Sequence, residues 1–166
     1  MFHTLIGGGN SLSDNFGNRE ERVRSLAADF RKAIVRAQRA GELCRTAIAF
    51  FPSGCCGYTS DLLQRYLAEN GIDTRYVSGT YRDYSANDSQ SHAWLELADG
   101  TVVDITGDQF RYKRYPLQNE CQVYCGKPNE FYDSFDRELP CECEGSFSKD
   151  VLRKEQEAYD IICKFL

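Results

Sequence analysis

The sequence predicts an α+β fold on three observations: two helix-period patterns before Gly71, a run of short strand-like segments after it, and an amphipathic stretch that closes the chain. Its 166 residues suit one domain spanning 1–166, because a second hydrophobic core would be starved at this length. With 42% hydrophobic and 27% charged residues, the composition is that of a folded soluble protein with a substantial core. Lys and Arg total 20 against 25 for Asp and Glu, a net charge of -5, so the broad cationic surface that nucleic acid demands is missing and no nucleic-acid partner is expected. No run approaches the ~18 apolar residues of a membrane span, and no membrane partner is expected either. Met1–Asn10 lacks a basic region ahead of an apolar core, which does not read as a secretory signal and gives an expected cytoplasmic address with reduced thiols.

Residues 1–16, rich in Gly, Ser and Asn and without periodic apolar positions, read as a loose leading segment. From Asn18, with Glu21 three residues on as a capping box, Val23, Leu26, Ala27, Phe30, Ile34 and Ala37 recur at helical spacing until Gly41 offers a stop. The arginines and lysines of this helix fall on the other face and read as a solvated surface. A second helix is expected from near Gly54 to Asn70, ended by Gly71, with Leu62, Leu63, Tyr66 and Leu67 inward and Cys55 and Cys56 in its first turn. Strands are expected over Thr74–Tyr81, His92–Leu97 and Thr101–Thr106, antiparallel where Asp99-Gly100 turns the chain, and over Cys121–Cys125. Ser148 caps a closing helix to Leu166, with Leu152, Tyr159, Ile162 and Leu166 inward.

Two cysteines at a helix start, a histidine opening a strand and an aspartate in the next strand supply a nucleophile, a base and an orienting acid. A free thiol is only a few per cent thiolate at neutral pH, and a helix N-terminus with a neighbouring imidazolium both favour the anion. The chain has two histidines, and His3 lies in the leading segment, so the imidazole base is His92. A two-residue Asp99-Gly100 turn would put Asp104 on the face opposite His92 and mix polar with apolar residues on both faces. A three-residue Ala98-Asp99-Gly100 loop with Gly100 left-handed pairs Leu97 with Thr101, Trp94 with Asp104 and His92 with Thr106. Ala93, Leu95, Leu97, Val103 and Ile105 then share one face, while His92, Trp94, Glu96, Val102, Asp104 and Thr106 share the other, with Asp104 diagonal to His92. Asp108 is a minor substitute for Asp104. Taken singly, Cys56 reads better as a small buried residue, His92 as a core histidine and Asp104 as a hairpin or capping acid, and only the agreement of register and spacing favours the three acting together.

The segment GCCGYTSDLLQRYLAENGI, followed by RYVSGTY, SHAWLEL and VVDIT, resembles the transglutaminase-like branch of the papain-like superfamily over residues 43 to 110. The family places a small residue four positions after its nucleophile and the helix-ending glycine about fifteen after it, and Cys56 fits with Ser60 and Gly71. Periodicity leaves Cys55 and Cys56 equivalent, ~50° either side of the apolar stripe; the resemblance chooses between them. It implies Cys56 as nucleophile, His92 as base and Asp104 as orienting acid, in a papain-like (transglutaminase-core-like) α+β fold whose cysteine helix packs on an antiparallel sheet. The doubled cysteine, and Ile105 where a proline commonly stands, depart from the family pattern.

The expected activity is acyl transfer from a peptide or protein amide through a thioester on Cys56, with water as acceptor in a thiol hydrolase or an amine in a transglutaminase-type enzyme. No cofactor and no catalytic metal are expected. The alternative is a non-catalytic interaction module stapled by zinc through Cys121, Cys125, Cys141 and Cys143, whose spacings are not those of paired two-residue knuckles. Cys121 and Cys125 would otherwise share a strand face, and Cys44 and Cys163 would pack in the core. The acidic stretch Asn129–Phe147 reads as a solvated excursion with a helical turn gathering Phe131, Phe135 and Leu139, or as a lid that selects a basic substrate.

Overall fold

The computed structural model describes residues 12–138 and 149–166. In chain order they form α1 (Leu12–Arg39), α2 (Cys56–Glu69), β1 (Arg75–Asp83), β2 (Asp88–Glu96), β3 (Val102–Asp104), a 3-10 turn (Gly107–Phe110), β4 (Tyr124–Gly126), α3 (Glu130–Asp133), β5 (Asp136–Arg137) and α4 (Lys149–Cys163). The five strands make one antiparallel sheet in the order β4-β3-β2-β1-β5. The α+β prediction holds, with helices against an antiparallel sheet.

The apolar stripe of α1 is buried as its spacing requires: Val23, Ala27, Phe30, Ile34 and Ala37 are fully enclosed with Leu62, Leu63 and Leu67 of α2 and Ala158, Tyr159 and Ile162 of α4. Each large side chain so enclosed is worth ~1.5–3 kcal/mol of transfer free energy. Both glycine stops act as read. Gly41 and Gly71 take φ +78 and +75, and the amides of Glu42 and Ile72 close back on the carbonyls of Ala37 and Leu67, a bonding pattern only a left-handed residue permits without strain.

Several expectations are corrected. Helix α1 starts at Leu12, so Asn18 lies inside it and residues 12–16 belong to the helix; residues 1–11 lie outside the described part. Once a helix is nucleated each added residue gains a hydrogen bond at little cost, so a polar run can extend it without an apolar stripe. The basic face of α1 is not wholly solvated, because Arg31 is buried. Cys44 and Cys163 are exposed. The inward side of α4 is set by Ala158, Tyr159 and Ile162, and one further residue rotates Cys163 away from it. Leu152 is 52% exposed because the first turns of α4 border an open groove along α2, and Leu166 follows the helix end. Strand β4 covers only Tyr124–Gly126, so Cys121 shares no strand face with Cys125. Ser148, the expected cap of α4, lies outside the described residues.

The hairpin register is the one the face argument selected. Leu95 pairs with Val103 and Glu96 with Val102, and Gly100 adopts φ +80 while Leu97 and Thr101 close the loop with a 2.8 Å backbone bond. Leu95, Leu97, Val103 and Ile105 join the helices' cluster. Trp94 and Val102 join a second cluster on the reverse face with Phe110, Leu117, Phe131, Tyr132 and Phe135.

Candidate active site

The loop before α2 ends at Cys55, which takes the cap position with φ -131 and ψ 17, and Cys56 is the first helical residue. No side chain caps this end, so the first-turn amides and the positive end of the helix dipole stand beside the Cys56 sulfur. The adjacent thiols have opposite surroundings. Cys55 is buried in the apolar cluster, and burial pushes its thiol up despite a 3.5 Å bond from Thr59 Oγ1. Burial also pushes Cys56 up, but a hydrogen bond and positive charge from His92, the backbone of Ala93 and the side chain of Gln109 outweigh it, and the Cys56 thiol lies below its usual value.

His92 is fully enclosed on β2, ringed by Phe110, Phe131, Trp94 and Phe135 at centroid distances of 5.1, 5.6, 5.7 and 5.7 Å. Its Nε2 donates to Asp104 Oδ2 at 2.8 Å, which leaves Nδ1 turned to Gln109 Nε2 at 3.1 Å and to Cys56. Nδ1 accepts from Gln109 while the ring is neutral and can take the thiol proton when it charges. Burial alone would depress the imidazole, but the Asp104 carboxylate and Cys56 reverse that and raise it to about 9. Asp104 is buried as well. Burial pushes its carboxyl up, and the charge and hydrogen bond of His92 with the two donors of Thr106 bring it below its ordinary value. Its Oδ1 accepts from Thr106 N at 2.8 Å and Thr106 Oγ1 at 3.0 Å, and its Oδ2 accepts from Tyr132 at 3.1 Å besides His92.

The structure thus places Cys56 beside His92, whose other ring nitrogen is bonded to Asp104. Asp108 does not stand in for Asp104: its carboxylate is held at 3.0 and 2.8 Å by Arg31, which also bonds the Ile105 carbonyl, and at 3.2 Å by Arg111. That buried ion pair fixes the 3-10 turn that carries Gln109, whose Oε1 accepts from Gly54 N at 3.4 Å. Gln109 was not singled out in the sequence, and no spacing marks it; only the turn after Asp104 delivers it. Tyr132 was missed too, although its neighbours Phe131 and Phe135 were grouped by their spacing.

Among the described residues no group of three or more His, Cys, Asp or Glu side chains could hold a metal. Cys121 is exposed, Cys125 is buried with its thiol donating to the Glu20 carbonyl at 3.6 Å, and Cys141 and Cys143 lie outside the described residues. No helix among them is long and apolar enough to cross a membrane.

The sequence model of the transglutaminase-like superfamily matches residues 10–112, well over half of the chain. The chain belongs to the transglutaminase-like superfamily. That superfamily typically contains cysteine enzymes, and the matched region holds Cys56, His92, Asp104 and Gln109 but stops short of Tyr132. No curated protein and no solved structure matches the chain.

Proposed function

We propose that the chain is a cysteine-dependent acyl-transfer enzyme, on the papain-like plan, that cleaves a peptide or amide bond through a thioester on Cys56 with water as the acceptor. The observation that carries this reading is the row Cys56, His92, Asp104, in which one imidazole nitrogen faces the thiol and the other is bonded to a buried carboxylate. The lowered thiol and raised imidazole both favour the thiolate–imidazolium form of the pair. Thiolate attack forms the C–S bond and an oxyanion, for which the uncapped Cys56 amide and the Gln109 Nε2 group are the donors at hand. Collapse breaks the C–N bond, and the departing amine takes the proton from His92 Nδ1. His92 then accepts a proton from water, which attacks the thioester, breaks the C–S bond and returns the thiolate. Asp104 holds the ring in the tautomer that keeps Nδ1 on the reacting side. Water needs no second binding site, which favours hydrolysis over transfer to an amine.

Alkylation across pH with peptide-level readout tests the nucleophile. Cys56 should label first, below pH 7.5 and faster than buried Cys55, and His92→Ala should remove that advantage. Equal, slow labelling of the pair would end the proposal. Incubation with labelled amines separates the acceptors: release of acid or ammonia alone supports hydrolysis, and stable amine incorporation would replace it with transfer.

A further inference from the structure

Strands β4 and β5 are the two edges of the sheet, and only residues 127–135 join them. Crossing the three strands between them spans ~19 Å at ~4.8 Å per strand. Nine extended residues reach only ~30 Å, and part of this segment is spent on the single turn of α3. The connection therefore has little slack and lies flat on the face that carries His92, Trp94 and Asp104. It is fastened at both ends. Tyr124 Oη donates to the Lys127 carbonyl, and Arg137 pairs with Glu96 at 2.9 Å over the Trp94 ring. Gly79 makes the approach possible: it pairs with His92 on one side and Arg137 on the other, and a Cβ there would meet Phe135 Cβ at 2.8 Å.

Along this strap the side chains divide by chemistry. Phe131 and Phe135 close over the His92 ring. Tyr132, fully enclosed between Trp94 at 5.4 Å and Tyr124 at 5.1 Å, directs its hydroxyl to the same Asp104 oxygen that His92 uses. We propose that Tyr132 is a positioning residue whose hydroxyl, delivered by the edge-to-edge strap, pins Asp104 Oδ2 where His92 Nε2 meets it. The proposal rests on the cysteine-enzyme reading above and adds a residue outside the part of the chain that the family match covers. Burial and the neighbouring carboxylate keep the Tyr132 hydroxyl protonated well above its usual value, so it remains a donor throughout the range in which His92 titrates.

Tyr132→Phe keeps the ring and removes one donor from Oδ2. A carboxylate with one donor fewer is a stronger base toward its remaining partner, so His92 should titrate at higher pH. The rate of thioester formation should fall ~10-fold, the size expected for one hydrogen bond to a charged group, with KM changed far less. Imidazole NMR of the intact chain follows His92 directly, since His3 is the only other histidine. Tyr124→Phe is the companion variant. Although Tyr124 pairs with Asp104 across the strands, the substitution loosens the strap at its fastening and removes no donor from the Asp104 carboxylate, so it should lower stability and leave the His92 midpoint in place. A folded Tyr132→Phe protein whose His92 midpoint and rate both match the wild type would overturn the proposal, as would an equal midpoint shift in both variants. These outcomes are separable from failure of the enzymatic reading, because the NMR midpoint needs no turnover, while slow, equal alkylation of Cys55 and Cys56 would strike only the enzyme.

Discussion

The two faces of the β2–β3 hairpin are equally dry and differently held. On one, Leu95, Leu97, Val103 and Ile105 disappear into the helices' cluster through contacts that have no required direction. On the other, Asp104 receives four donors, and Glu96 receives Arg75 at 2.7 Å, Arg137 at 2.9 Å and Trp94 Nε1 at 3.2 Å. Burial by itself therefore does not mark the candidate site. What marks it is that the buried carboxylates of Asp104 and Glu96 are each answered by several donors, so losing one partner costs ~1–3 kcal/mol at the group left behind.

Substitutions on the two faces should separate reactivity from stability. The largest effect is expected from Asp104→Asn, which keeps the shape but offers His92 the wrong tautomer; kcat should fall ~10⁴-fold while urea unfolding moves far less. An Asp104→Asn protein with wild-type turnover would remove the carboxylate from the mechanism. Leu95→Ala, on the apolar face, should lower unfolding free energy by ~2–5 kcal/mol, with the pH profile of Cys56 alkylation unchanged. A displaced profile there would mean that the faces are mechanically linked.

The smallest effect concerns pH and compares the faces most finely. Relative to the unfolded chain, the folded chain gains a proton on His92 between pH 6.5 and about 9, which by itself makes stability fall as pH rises. Wherever Cys56 is thiolate in the folded state the chain binds one proton fewer there, up to the usual thiol value of 9.0, which makes stability rise. The two slopes oppose each other, so wild-type stability should fall less steeply over this interval than His92 alone would make it fall. Cys56→Ala leaves only the first, and stability should then drop by up to ~1.4 kcal/mol per pH unit from pH 6.5 toward the value His92 keeps beside Asp104. Leu95→Ala should keep the wild-type slope at a lower baseline. Urea titrations at several pH values measure all three, and a wild-type curve as steep as that of Cys56→Ala would show that the proton pair does not exist.

Much of this was legible because local rules and the tertiary requirement agreed. The stripes of α1 and α2, the stops at Gly41 and Gly71 and the three-residue loop at Gly100 each follow from periodicity or a backbone preference acting within a few residues. The hairpin register was readable because side chains alternate strictly, so a slip of one residue would have mixed the two faces. Where a signal was not exclusive the reading failed. A cap-like Asn18 also sits comfortably inside a helix, and cysteines such as Cys44 and Cys163 are as compatible with the surface as with the core.

By itself, then, the sequence determined which residues could react and which strand faces they share, because those facts depend on residue type and on short-range geometry. Only the tertiary structure decided that Asp108 is taken by Arg31 and that Gln109 and Tyr132 reach the same few ångströms from distant parts of the chain. Those meetings depend on how helices seat on a sheet and on how short a strap must be to cross it, and no interval along the chain encodes either distance.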